Sequence, residues 1–159
     1  MKEIIFTVII TIASLMTPST SAISLQKITV TVTVMKPACI INDGQAIEVK
    51  FPDNLFTTRI DGISNKVLID YRATNCALRG LKLMVAGTPT SFDSDLLATN
   101  NPNLGIRLLN NASAQALNSW KNFMGGAKPT LEAVLVKNKE KVLKSGPFTA
   151  AATLMIDYQ

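Results

Sequence analysis

Histidine is absent from the chain. Its absence removes the usual neutral-pH general base, every Ser-His-Asp or Cys-His arrangement, and any metal cluster built on imidazole. Cysteine is scarce: Cys39 and Cys76 are the two present, and they do not form a CxxC pair. Neither a P-loop nor a GxGxxG pattern occurs, so there is no glycine-rich cradle for a phosphate. The eleven acidic residues stand mostly singly in polar strand faces or turns, where a carboxylate is by default solvated. We therefore expect no enzyme, no cofactor and no metal site. Long apolar runs are also missing. The uncharged run at residues 4–16 has 13 residues, against about 20 for a membrane-spanning helix.

What is present begins with that short run. Lys2 precedes it and Thr17-Pro18-Ser19-Thr20-Ser21-Ala22 follows it. A positive start, a core too short to span and small residues for a peptidase form the order of a secretory signal. Residues 1–22 are expected to be removed after Ala22, with an uncleaved anchor as the alternative. The remaining 137 residues suffice for one domain with a core. Their excess of five positive charges is scattered from Lys27 to Lys128, with one cluster at residues 137–144. A nucleic-acid surface would need a basic stripe with aromatics interleaved, so no nucleic-acid partner is expected. In an exported chain, two cysteines without CxxC spacing read as one disulfide. Closing its loop of about 38 residues would stabilise the fold by roughly 3–4 kcal/mol in the chain-entropy description.

Alternation of period 2 dominates the rest. At residues 28–34, Ile28, Val30, Val32 and Val34 fall on one face and three threonines on the other, a strong strand signal. Pro37 and Asn42-Asp43-Gly44 punctuate the chain. Further alternating segments are Ile47, Val49 and Phe51; Val67, Ile69 and Tyr71, running into Cys76; and Leu81, Leu83 and Val85. Residues 88–103, rich in Thr, Ser, Asp, Asn and Pro, read as a long loop or a poorly paired edge. Residues 105–109 and 131–136 read as strands. Between them, Leu117, Trp120 and Phe123 have helix-compatible spacing, though a helix is not required. Asn138 to Lys141 reads as a charged turn.

The last strand is as clean as the first. Phe148, Ala150, Ala152, Leu154, Ile156 and Tyr158 lie on one face, and the sequence stops while still in the strand. Six or seven short strands, turns between them and one bridge predict an all-β, immunoglobulin-like sandwich in a single domain. Asn111-Ala112-Ser113 fits a glycosylation sequon but reads better as a polar turn. Trp120 with Phe123 could form a ligand platform, and core packing is the favoured reading.

The two ends together resemble subunits of chaperone–usher pili of the P and type 1 kind. The resemblance spans nearly the whole mature chain. It rests on the alternating segment before Lys36-Pro37-Ala38-Cys39, on Cys39-Ile-Ile-Asn-Asp-Gly-Gln45, and on the second cysteine at position 76. Leu97-Ala-Thr-Asn100 followed by Leu104-Gly105-Ile106 adds to it, as does the tail from Gly146 to Gln159. That tail places a glycine fourteenth from the end and a tyrosine next to last, as the family does. The stretch near Cys39 and the tail look most similar to minor tip or adaptor subunits.

The resemblance implies an incomplete immunoglobulin-like β-sandwich of six strands that lacks its last strand. Residues 23–36 would be an N-terminal donor-strand extension and 37–159 the pilin domain. Ile28, Val30, Val32 and Val34 would fill the groove of a neighbouring pilus subunit. Gly146, Phe148, Ala150, Ala152, Leu154, Ile156, Tyr158 and Gln159 would face that strand, or a periplasmic chaperone before assembly by an outer-membrane usher. The chain would pass through the periplasm to a surface fimbrium and meet a host receptor only indirectly. Physical chemistry points the same way, because a final apolar strand without a partner exposes surface that soluble proteins normally cover. The alternatives are a self-sufficient secreted carbohydrate-binding module and a pilus terminator or anchor. One departure from the family stands out: Val32 occupies a donor position where glycine is usual.

Overall fold

The computed structural model describes residues 39–76, 80–123 and 128–159. The donor residues Ile28, Val30, Val32 and Val34 and the signal segment 1–22 lie outside the described residues. The described chain is built from strands and two three-residue 3-10 turns, with no α-helix among the described residues. The strands are β1 (Ile40–Ile41), β2 (Val67–Ile69), β3 (Ala73–Thr74), β4 (Leu81–Gly87), β5 (Leu97–Ala98), β6 (Leu104–Asn110), β7 (Ser113–Gln115), β8 (Lys121–Phe123), β9 (Leu131–Lys137) and β10 (Ala152–Tyr158).

They form two main antiparallel sheets. One runs β2-β9-β6-β5, with β7 also paired to β6, and the other runs β10-β4-β8. A small third ladder joins β1 to β3. Next to it the Cys39–Cys76 disulfide forms, with Cα atoms 4.4 Å apart. Period-2 alternation places the core between the two main sheets. Leu81, Leu83 and Val85 of β4 are buried, and so are Ile106 and Leu108 of β6 and Leu131, Ala133 and Leu135 of β9. Full burial of such a side chain is worth about 1.5–3 kcal/mol, so these three strands hold the sandwich together.

Two segments cross the outer face of the larger sheet. Residues 53–66 pass over β9 and β6, where Arg107 Nη1 donates to the Gly62 carbonyl at 3.1 Å and Lys137 Nζ donates to that of Thr57 at 3.3 Å. The chain around Thr90 and Leu96 lies against Gly105. A Cβ there would meet Thr90 Cγ2 at 2.7 Å and Leu96 Cβ at 3.0 Å, so glycine is what lets the crossing chain approach. This accounts for buried Leu96 within a stretch whose composition reads as loop, while Leu97, in β5 opposite Ile106, joins the core between the sheets.

Residues 112–123 contain no helix. Asn111 and Ala112, both at positive φ (49° and 62°), form the two-residue turn between β6 and β7, the type of turn whose twist suits a hairpin. Asn118, also at positive φ, breaks the chain again before β8. Phe123 packs against the core. Trp120 does not: it is 39% exposed, with Lys82 Nζ 4.9 Å from its ring centre. The core-packing expectation therefore holds for Phe123 and fails for Trp120, because the turn at Asn118 sets Trp120 on the outer side of the sheet.

Candidate functional site

Among the described residues, two extended stretches flank an opening into the core. The first is residues 45–51. Ile47, Val49 and Phe51 are half-buried and alternate with exposed Glu48 and Lys50, yet the segment joins no ladder among the described residues. The second is the end of the chain. β10 pairs with β4 along its whole length, from Ala152 opposite Gly87 to Tyr158 opposite Leu81, and sits at the edge of its sheet. Residues 148–151 extend that wall ahead of the ladder.

Between these walls lies a cavity of about 700 Å³. Ile47, Val49 and Phe51 line one wall, and Phe148, Ala150, Ala152 and Leu154 line the other. The floor is the core itself, with Val85, Ile106, Leu108, Leu131 and Ala133 reaching the opening. Phe51 and Phe148 meet across one end, their ring centres 5.8 Å apart and tilted by 53°. The other end is bounded by Ile41 and by the Asn42-Asp43-Gly44 turn, whose residues have φ of 47°, 51° and 77°. Asn42 Nδ2 holds that turn closed by donating to the carbonyls of Gln45 at 3.0 Å and Ala46 at 3.1 Å.

The groove is thus an apolar slot with an extended segment on each side: residues 45–51, outside every ladder among the described residues, and residues 148–154, which lead into the sheet-edge strand β10. An extended peptide could add backbone hydrogen bonds along its edges while alternate side chains enter the core. The charges near it face away. Glu48 and Lys50 pair with each other at 3.3 Å on the outer side of the first wall, and Asp157 pairs with Lys82 at 3.1 Å on the outer side of β10. The strongest perturbations of acidity also lie elsewhere. Burial pushes the Tyr71 phenol up, and its hydroxyl donates to the Pro129 carbonyl at 2.7 Å. Hydrogen bonds from Ser64 and from the Ile63 and Ser64 amides hold Asp61 down to about 2. Among the described residues, no three His, Cys, Asp or Glu side chains come together as a metal site.

Of the residues expected to face a partner strand, Phe148, Ala150, Ala152 and Leu154 line the cavity. Ile156 and Tyr158 continue the same half-buried face beyond it. Gly146, at φ 141°, is exposed and outside the cavity. Gln159 fastens the end of the chain, its N–H donating to Gly80 O at 2.7 Å and its Nε2 to Leu81 O at 3.3 Å. Sequence reasoning did not identify Ile47, Val49 and Phe51 as the opposite wall. Their alternation showed a buried face, but nothing in it showed that the segment stands outside every ladder among the described residues.

The comparisons with known proteins bear on this geometry. A sequence profile described as Fimbrial protein matches residues 27–159. The chain belongs to the fimbrial protein family. The fimbrial-like protein YfcQ of Escherichia coli K12 is 35% identical over 131 residues, covering 77% of this chain and 80% of YfcQ. YfcR of the same strain is 32% identical over 130 residues, covering 77% of this chain and 74% of YfcR. Among solved structures, the P pilus rod subunit PapA has the same fold, with a TM-score of 0.63 at 22% identity over 85% of this chain and all of PapA. The P pilus adaptor subunit PapF gives a TM-score of 0.59 at 26% identity over 80% of this chain and all of PapF. This fimbrial protein is accordingly a non-enzymatic structural subunit of the pilus type, with an all-β pilin fold.

Proposed function

We propose that this fimbrial subunit polymerises by donor-strand exchange, accepting a neighbour's N-terminal strand in its groove and donating its own residues 28–34 to the next. The observation that carries this reading is the apolar slot of about 700 Å³ between two extended walls, floored by the core, with residues 45–51 outside every ladder among the described residues and β10 at the edge of its sheet. A domain open in this way is missing one strand, and the alternation at residues 28–34 supplies a seven-residue strand pattern with one wholly β-branched apolar face. Filling each groove with the next molecule's arm repeats head to tail into a fibre. The groove favours an accepting subunit over a terminator that would have no usable slot.

In the same proposal residues 1–22 are the signal peptide, 23–36 the donor extension and 37–159 the pilin domain. A periplasmic chaperone holds the groove before an outer-membrane usher exchanges the strand, and the fibre emerges at the cell surface. We place the subunit near the tip, as an adaptor contributing to cell adhesion. The similarity to the adaptor PapF supports this, as do the sequence features near Cys39 and in the tail.

A photo-reactive side chain at position 30 of subunits assembled on cells tests the exchange. Cross-links to residues 45–51 or 148–154 of a neighbouring subunit are the expected result. Links confined to the same chain would overturn the proposal.

A further inference from the structure

The second groove wall is supported in two different ways along its length. From Ala152 to Tyr158 it has β4 beside it. β4 stops at Gly87, where the Asn118 side chain takes both backbone groups: Gly87 N–H donates to Asn118 Oδ1 at 2.9 Å, and Asn118 Nδ2 donates to Gly87 O at 3.0 Å. The chain then leaves for the other sheet, with Ala98 N–H donating to Thr88 O at 2.8 Å and Pro89 bridging to Leu97. Residues 148–151 therefore have no β4 neighbour, although Phe148, Thr149, Ala150 and Ala151 all line the cavity.

One residue takes the place of that neighbour. Asn100 N–H donates to Thr149 O at 3.0 Å, and Asn100 Oδ1 accepts from Thr149 N–H at 2.8 Å. Both backbone groups of Thr149 are satisfied by a single side chain and its own amide, as a strand partner would satisfy them. Nearby asparagines hold the approach to this point: Asn101 Nδ2 donates to Lys144 O at 3.0 Å, and Asn103 Nδ2 donates to Val142 O at 2.9 Å. In extended chain, successive residues direct their backbone groups to opposite edges. Pinning Thr149 on the Asn100 side thus turns those of Phe148 and Ala150 toward the groove.

We infer that Asn100 is the positioning residue for the 148–151 half of the groove wall, so that an incoming strand can pair along the whole wall rather than along β10 alone. The inference rests on the strand-accepting reading above. Without the clip, that half would have to be ordered as the strand binds, which opposes binding.

The test refolds the exported chain in the presence of a fluorophore-labelled peptide of its residues 24–36, comparing wild type, Asn100→Ala, Asn100→Asp and Asn101→Ala. One lost hydrogen bond corresponds to about a five- to tenfold loss of peptide affinity. Asn100→Ala should show that loss, together with faster amide exchange at Ala150 and unchanged exchange at Met155 in the complex. Asn100→Asp keeps the accepting oxygen and should stay close to wild type. Asn101→Ala removes a comparable bond away from the wall and should also stay close. Should Asn100→Ala fail to fold, Asn100→Ser, with a shorter acceptor, carries the same comparison. Equal losses in the Asn100 and Asn101 variants, or exchange rising uniformly along 148–158, would overturn the assignment and leave the groove reading standing. Failure of the wild-type chain to capture the peptide, or any related subunit's arm, would instead remove the strand-accepting reading and this assignment with it.

Discussion

Among the described residues, no ladder joins the two groove walls, so the Phe51–Phe148 contact at one end should carry measurable coupling between them. Phe148→Ala removes a ring that is half-buried. Full burial would put the cost at about 3–5 kcal/mol, so a half-buried ring at the lip should cost about 1.5–2.5 kcal/mol. Phe51→Ala should cost a similar amount for the same reason. Tilted rings at this separation contribute about 0.5–1.5 kcal/mol beyond the area they bury, and that part can be lost only once. The double variant should therefore be less destabilised than the sum of the singles by about 0.5–1.5 kcal/mol. Urea unfolding of the chain with residues 24–36 fused after Gln159 measures all four corners of the cycle. Additivity within about 0.3 kcal/mol, the behaviour of independent sites, would refute the idea that these rings tie the walls together.

Further outcomes follow from single features. Gly105→Ala should destabilise by about 1–3 kcal/mol through overpacking against Thr90 and Leu96. Adding Thr90→Ser, which deletes the Cγ2 atom, should recover part of that loss in the urea midpoint. Replacing Cys39 and Cys76 by serine should cost about 2–5 kcal/mol, read by thermal unfolding. The Asp61 carboxyl should titrate near 2 by NMR instead of 3.8. Because its folded value is depressed, its contribution is present above 3.8 and is lost as pH falls toward 2. Tyr71 has the opposite sign. Its folded value is raised above 10.0, so its contribution is full below pH 10 and is lost as pH rises beyond it.

Much of the fold is legible where side-chain alternation and backbone pairing coincide, as in β4, β6 and β9. Alternation reports which face is buried, and a ladder usually comes with it. Residues 45–51 separate the two: Ile47, Val49 and Phe51 are turned inward as their pattern requires, while the segment joins no ladder among the described residues. The last strand shows the same separation. Its apolar face runs from Phe148, but pairing starts at Ala152 because β4 ends opposite it at Gly87. In residues 88–103 polar composition concealed Leu96 and Leu97. There the Thr90 and Thr99 hydroxyls satisfy backbone groups around the short strand β5, so that Leu97 within it and Leu96 just before it can both be buried. The helix-like spacing of Leu117, Trp120 and Phe123 misled because positive-φ asparagines at 111 and 118 set the backbone there. Of the groove, one wall could be read from the end of the sequence. The opposite wall and the Asn100 clip depend on contacts between residues distant in sequence.

The central claim is that this domain lacks a strand that its own leading segment can supply from outside. The most direct measurement compares the folding of residues 37–159 alone with the same residues carrying segment 24–36 after Gln159 through a short flexible linker. The account predicts an unstable or aggregating domain in the first case and a cooperative, folded monomer in the second. A stable, well-folded monomer without the added strand would contradict it.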